Sequence, residues 1–391
     1  MPNNLISIQA LDDVMTDIGS ARGMPNAAYH SEELFRFERD EVLSKTWAGL
    51  VFESELPEPN FAHPIDFMGL PLVAVRGADD QIRIFHNVCS HRGMPLVTQP
   101  GTFAGTIRCA YHRWGYTAAG ALRATPNIGG AGVHTVEGFD CTSHGLKPVR
   151  SASFMGIIFV NLDGNAPELD IHTAPIKNRW EKFTNHMDQL IPAKSASSLR
   201  LEVASNWKLP VENYCEAHHL PYVHPGLNRY SPLEQHFNLI VNEYASGQGS
   251  LSYTHSEVAG TTLPKFSDWP EEKESHAEYI SLYPNVLLGL QVDHAFAIIL
   301  DPVSPGKTIE RLELQFVGKS AIEQAFVECR DAVLSAWQEV FAEDIFAVEG
   351  MQRGRLSPAF KGGLFSPVLD ESTHHFHLWL AHQYRADYVR A

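Results

Sequence analysis

The 391-residue sequence has no apolar run approaching the ~20 residues that a bilayer-spanning helix needs. Met1–Ala10 lacks the basic-then-apolar order of a secretory signal. Both features predict a cytoplasmic protein without a membrane partner. Cysteine is scarce. The five, Cys89, Cys109, Cys141, Cys215 and Cys329, are odd in number and scattered, which argues against a disulfide framework and leaves them as ligands or buried thiols. Positive charge is also short: 30 Lys and Arg face 46 Asp and Glu, and a formal charge of −16 disfavours nucleic acid and anionic lipid. No Gly-rich dinucleotide loop follows a strand and no plant-type ferredoxin cysteine run is present, so nothing supports a built-in reductase. Internal repeats and low-complexity segments are absent as well.

The length allows two or three domains. Residues 1–22 show no strong pattern and are expected to be mobile. Ser31 is an N-cap candidate for an amphipathic helix, EELFRFERDEVL, with acidic residues in its first turn. From Phe61 to Val160 the pattern is one of short strands, with Pro71–Val75, Ile82–Phe85, Thr106–Cys109 and Ile157–Val160 as candidates between turn residues. Within this stretch, Cys89-Ser-His91 and Cys109-Ala-Tyr-His112 each supply one thiol and one imidazole from a tight loop. Two Cys and two His fit a Rieske [2Fe–2S] cluster, in which one iron takes both cysteines and the other both histidines. Structural zinc is the competing reading, but common zinc knuckles pair Cys with Cys and His with His.

A second cluster lies in Asn206–Pro225, NWKLPVENYCEAHHLPYVHP. Pro210 can open a helix. The helical period then places Glu212, Glu216 and His219 on one stripe, and Val211, Tyr214, Cys215 and His218 on a neighbouring one. Pro221 should end or kink that helix, so that His224 approaches from another direction. Two imidazoles and a carboxylate with open positions opposite make the facial triad of a non-haem Fe(II) oxygenase. Further on, Ala321 to about Gln352 reads as a long helix with Val333, Trp337, Val340, Phe341 and Val348 in its buried stripe. Asp344 falls inside the stripe, with Glu339 and Glu343 beside it. A buried carboxylate needs a cation, and Arg353 or a metal can supply it.

The order C-x-H, C-x-x-H, then E-x-x-H-x-x-x-x-H resembles the oxygenase (alpha) subunit of Rieske non-haem iron oxygenases, over most of the chain from about Tyr29. The resemblance implies that Cys89 and Cys109 bind one cluster iron and His91 and His112 the other. His219, His224 and Asp344, the last in AEDIFAVEGMQRG, would hold mononuclear Fe(II). Glu216 would bridge His219 of one subunit to His112 of the next in a homotrimer. Glutamate there, in E-N-Y-x-E-x-x-H, is similar to the branch acting on quaternary ammonium compounds such as carnitine and glycine betaine. Two positions depart from the family: Arg113 stands where glycine is usual, and His218 where that branch commonly has tyrosine.

The implied fold is α+β: an antiparallel β Rieske domain and a helix-grip (START/Bet v 1-like) catalytic domain with an antiparallel sheet and long C-terminal helix. Residues 1–45 would form an N-terminal helical segment packing on the catalytic domain, residues 46–165 the Rieske domain and residues 166–391 the catalytic domain. In the latter, Gly164–Pro175 reads as a linker and Ile176–Leu190 as a helix. Leu199–Ala204, Ser250–Tyr253, Val286–Leu290, Ala295–Leu300 and Ile309–Val317 read as strands. A helix follows from His374, and His374, His375 and His377 read as core or surface histidines.

The expected activity is that of a terminal oxygenase, with monooxygenation favoured. It would use O2 and electrons from a separate flavin/iron–sulfur, NAD(P)H-dependent reductase to hydroxylate a small quaternary-ammonium or zwitterionic substrate, with N-demethylation or C–N cleavage. Hydroxylation of an aromatic acid is the second reading. A non-catalytic Rieske electron carrier and a metal-free START-like ligand carrier are readings from other classes.

Overall fold

Glycine, proline and asparagine punctuate the first half of the chain so closely that only short strands fit between them. A computed structural model describes residues 5–193, 197–254 and 256–388. It divides into two units, Gly49–Ala166 and the combination of Met1–Ala48 with Pro167–Ala391.

In the first unit a seven-stranded sheet has the spatial order Ala48–Phe52, Ile157–Asn161, Pro148–Phe154, Ile82–His86, Leu70–Arg76, Phe61–Phe67, Gly101–Thr102. A smaller antiparallel sheet is built from Ile107–Arg108, Gly115–Tyr116 and Leu122–Ala124. Val73, Val75, Phe85, Leu96, Ile107, Trp114 and Tyr116 pack in one core with Cys89 and Cys109. The strand expected over Thr106–Cys109 is only Ile107–Arg108, because Cys109 already belongs to the loop that follows.

The second unit begins with a helix where mobility was expected. Helix α1 (Ile8–Val14) is capped by the Ser7 hydroxyl and buries Leu11 and Val14. Helices α2 (Ala27–His30) and α3 (Glu32–Phe37) follow, and Ser31 caps α3 by accepting from Leu34 N–H. Helix α4 spans Leu169–Trp180, so the linker and helix expectations are both displaced. Burial of Leu169, Ile176 and Trp180 outweighs the cost of Pro175 inside the helix, and the segment near Leu190 becomes the strand Leu190–Pro192.

An eight-stranded antiparallel sheet forms the body of this unit. Its order is Leu190–Pro192, Lys307–Val317, His294–Ser304, Val286–Leu290, Ala277–Leu282, Ala245–Ser250, His236–Asn242, with Ser198–Val203 also on Lys307–Val317. The strand expected at Ser250–Tyr253 lies instead over Ala245–Ser250. That strand, ASGQGS, has no apolar alternation to reveal it. Its small residues are dictated by crowding: a Cβ on Gly247 would sit 2.0 Å from the Tyr279 carbonyl oxygen.

Two short helices, α5 (Lys208–Tyr214) and α6 (Leu220–Val223), precede the long α7 (Val327–Gly354) and the closing α8 (Glu371–Tyr388). Helix α7 starts later than Ala321, after two 3-10 turns, and runs through Gly350. It packs on α5, α6 and the Ser198–Val203 strand. Buried charge pins α5 from behind. Lys208 Nζ donates to Glu38 at 2.5 Å, both side chains being fully buried. Arg355, at the end of α7, donates to Glu212 at 2.9 Å. Glu212 therefore faces away from the histidines it was expected to accompany.

Candidate metal centres

The helix expected to continue past Glu216 breaks after Tyr214, and the chain resumes helical geometry only at Leu220. Pro221 lies in the first turn of α6, where its missing N–H costs nothing, instead of terminating a helix. Glu216 and His219 thus sit in an irregular segment. Their side chains meet through a local turn and not along a helical stripe: Glu216 Oε2 accepts from the His219 backbone N–H at 3.2 Å, and Oε1 from His219 Nδ1 at 2.6 Å. Gln248 Nε2 holds the break in place by donating to the Glu216 carbonyl at 2.9 Å.

His219, His224 and Asp344 converge. One donor atom from each lies within 4.8 Å of the other two. His224 Nε2 is 2.9 Å and His219 Nε2 3.6 Å from Asp344 Oδ1. With Nδ1–H of His219 given to Glu216 and Nδ1–H of His224 given to Glu343 Oε2 at 2.8 Å, both Nε2 atoms are left free to ligate. Asn213 Nδ2 donates to Asp344 Oδ1 at 2.7 Å and fixes the carboxylate. The donor set fits one Fe(II) ion in a facial arrangement. Burial would lower the His224 pKa, but Asp344 and Glu343 outweigh it and raise it. Glu310, on the Lys307–Val317 strand, is pushed up to about 8 by burial and by the charge of Asp344.

The other candidates fall away from this point. His218 is half-exposed and turned toward Asp370 at 3.9 Å. Burial pushes the Cys215 thiol up to about 12, unsuited to ligation. His374 and His377 are core residues, bonding to the Val14 carbonyl and the Met24 N–H. Sequence reasoning gave no role to Asn213, Gln248 or Glu343. Only Glu343 carried a signal, its position beside Asp344.

A cavity opens beside the three donors, which form part of its lining. Its walls include Tyr214, Tyr279, Trp337 and Phe341, with Leu220, Leu227, His236 and Gln248. Trp337, Phe341 and Asp344 all project from one face of α7, at steps of four and three residues. A Cβ at Gly289 would lie 2.3 Å from the Phe296 ring, so the glycine lets that ring cross its neighbour strand and support Trp337 at 4.5 Å.

In the first unit, Cys89 and Cys109 are buried and the rings of His91 and His112 are 4.6 Å apart. Trp114 stacks on His91 at 4.7 Å. His112 Nδ1 is buried with no hydrogen-bond partner among the described residues, as a nitrogen aimed at a missing ligand would be. Burial raises the Cys89 thiol, while Tyr116 OH, 3.2 Å from its sulfur, works the other way. Burial, His112 and Arg92 lower His91 and favour its neutral, ligating form. Among the described residues, only His219, His224 and Asp344 form a group of three or more converging donors. The Cys and His atoms therefore do not close on one point as a single zinc demands; a two-iron cluster needs two separated pairs. Arg113 stands in the loop with φ of 61°, a conformation glycine adopts more easily.

Residues 46–146 match the family model of the Rieske [2Fe-2S] domain, and residues 192–386 that of the ring hydroxylating alpha subunit (catalytic domain). The chain belongs to the Rieske non-haem iron oxygenases. It is an enzyme, the oxygenase subunit of a multicomponent system, and it uses a Rieske [2Fe–2S] cluster and mononuclear Fe(II) on a small-molecule substrate. The carnitine monooxygenase oxygenase subunit of Escherichia coli (strain K12) is 25% identical over 374 residues, covering 93% of this chain and 94% of the relative. The crystal structure of the quaternary ammonium Rieske monooxygenase CntA with L-carnitine superposes with a TM-score of 0.77 at 22% identity, over 97% and 99% of the two chains. Naphthalene 1,2-dioxygenase from Rhodococcus sp. gives 0.76 at 19% identity, over 97% and 98%. The oxygenase thus shares its fold with enzymes named for very different substrates, and the fold does not select among them. Among the described residues no helix is long and apolar enough to cross a membrane.

Proposed function

We propose that the oxygenase hydroxylates the carbon beside the nitrogen of a small quaternary-ammonium or zwitterionic substrate, leading to N-demethylation or C–N cleavage. In this reading His219, His224 and Asp344 hold the iron, Cys89 and Cys109 one cluster iron, and His91 and His112 the other. Residues 46–165 serve as the Rieske domain and residues 166–391 as the catalytic domain, with residues 1–45 packing on the latter. The bound iron supplies O2 activation with electrons passed through the cluster: one oxygen atom enters the C–H bond and the other leaves as water, consuming two electrons and two protons. The hydroxylated carbon then forms C=O, the C–N electron pair leaves with nitrogen, and the hydroxyl proton passes to water.

The observation that carries the substrate class is the cavity wall. Tyr214, Tyr279, Trp337 and Phe341 line it, and its described lining contains neither Lys nor Arg. Aromatic faces attract a permanent cation. Glu216 and Glu343, which are not iron ligands in this reading, lie nearby, add to that attraction and oppose an anion. An aromatic acid would bring its carboxylate to this wall without a cationic partner. The likeness to the carnitine monooxygenase subunit points the same way.

Glu216 fixes His219 and, in a homotrimer, accepts from His112 of the partner subunit to carry the electron path between them. A separate flavin/iron–sulfur reductase supplies the electrons from NAD(P)H, and the oxygenase works in the cytoplasm. The test is reoxidation, in air, of the chemically reduced Rieske chromophore with carnitine, glycine betaine, choline and aromatic acids. Fast reoxidation with a quaternary ammonium, and aldehyde release, supports the reading. A response to aromatic acids alone overturns it.

A further inference from the structure

We propose that Asp293 and His294 are positioning residues that fix Trp337 as the far wall of the substrate cavity. The quaternary-ammonium reading enters only in the choice of probe. All three residues are buried, at 1%, 1% and 4% exposure. Trp337 Nε1 lies 2.9 Å from His294 Nε2, and an indole nitrogen can only donate. His294 Nε2 must therefore accept, its proton must sit on Nδ1, and Nδ1 donates to Asp293 Oδ1 at 2.7 Å. The chain of protons runs in one direction, from the indole through the imidazole to the carboxylate.

Trp337 is the only one of the three that lines the cavity. Its ring runs nearly parallel to Phe341, at 5.6 Å and 23°, and Tyr279 crosses it at 5.9 Å and 70°. Turning the indole would strand both its own N–H and His294 Nε2 inside the core, which is the costly way to lose a hydrogen bond. Neither Asp293 nor His294 has a part in metal binding. Their effect is to hold one ring in one plane.

The experiment compares the wild-type oxygenase, with both metal centres filled, with His294→Leu, His294→Gln, Trp337→Phe and the His294→Leu/Trp337→Phe double variant. KM and kcat are read with the panel compound that is turned over, and inhibition by tetramethylammonium is read alongside. His294→Leu should raise KM about tenfold while kcat falls less than about twofold. Its iron content and Rieske absorption should match the wild type. The Gln amide can accept from the indole and donate to Asp293, so His294→Gln should return KM to within about twofold. In the Trp337→Phe background, which has no indole N–H, His294→Leu should add nothing. An unmoved KM, or effects of the two substitutions that simply multiply, would overturn the assignment. Should His294→Leu fail to fold, His294→Asn, whose shorter amide cannot span both partners, takes its place with the same expected outcome. If tetramethylammonium does not inhibit and an aromatic acid is the substrate, the proposed substrate class fails, while the KM pattern for that acid still decides the role of His294.

Discussion

Glu343 Oε2 lies 2.8 Å from Nδ1 of His224, on the ring nitrogen opposite the one that faces Asp344. Neighbouring residues of α7 thus treat the two ends of one imidazole differently: one holds it, the other faces the nitrogen left free to ligate. Such outer partners set the tautomer and basicity of a ligand, and their loss costs about 10–100-fold in metal affinity. Glu343→Leu should therefore weaken Fe(II) or Co(II) binding by about that factor, read by titration of the metal-depleted centre, with the Rieske absorption unaltered. Glu343→Gln, whose amide oxygen can still accept, should lose less.

Glu216 occupies the equivalent place on His219 and is the less exposed of the two, with 15% of its side chain accessible against 33% for Glu343. Glu216→Gln should leave both metals bound and slow substrate-dependent reoxidation of the cluster. Unchanged single-turnover kinetics of the cluster chromophore would remove Glu216 from the electron path.

Arg113 holds a left-handed backbone, φ 61°, one residue after His112. An L-residue there costs about 1–2 kcal/mol, of which glycine's larger unfolded-state entropy takes back ~0.5–1. Arg113→Gly should stabilise the Gly49–Ala166 unit by roughly 0.5 kcal/mol. The measurement is the urea midpoint for loss of Rieske absorption, which should rise; a fall would mean that the exposed arginine makes a stabilising contact.

The buried pair Glu212–Arg355 makes stability depend on pH. Burial alone would raise the Glu212 carboxyl, but Arg355 and His377 outweigh it and hold it down to about 2, against an ordinary 4.5. A depressed folded-state value means that the stabilisation is complete above pH 4.5 and disappears as pH falls toward 2. Its size is ~3 kcal/mol. Urea unfolding of wild type and Glu212→Gln should differ most near neutrality and converge through that window. A gap that stays constant down to pH 2 would show that Glu212 does not titrate with folding.

Both candidate ligand sets could be proposed from the sequence because their chemistry is local: two short loops of mixed Cys and His, and a carboxylate three residues before a histidine. Asp344 was legible for a different reason, as an acidic residue inside an apolar helical stripe. The ASGQGS strand was not, because its small residues answer to the backbone of the next strand, which lies about thirty residues away in the chain. Helix α4 was missed because a proline signal is local and the burial that overrides it is tertiary. The break at Glu216 was missed for the same reason. It depends on Gln248, which reaches in from that unrecognised strand. Asn213 and Glu343 are ordinary residues for their helices, and only the folded positions of Asp344 and His224 give them work.

Trp337 and Asp344 stand seven residues apart on one face of α7, two turns and about 10 Å along its axis. The helix is in effect a graduated scale with the Asp344 carboxylate at zero. A molecule whose reacting methyl group rests at the zero mark touches Trp337 only if it is itself about that long, and a shorter one leaves water against the indole. Exchanging Trp337 and Phe341, which stand one turn apart on that face, would change the length of molecule that fits without altering any atom at the reacting end.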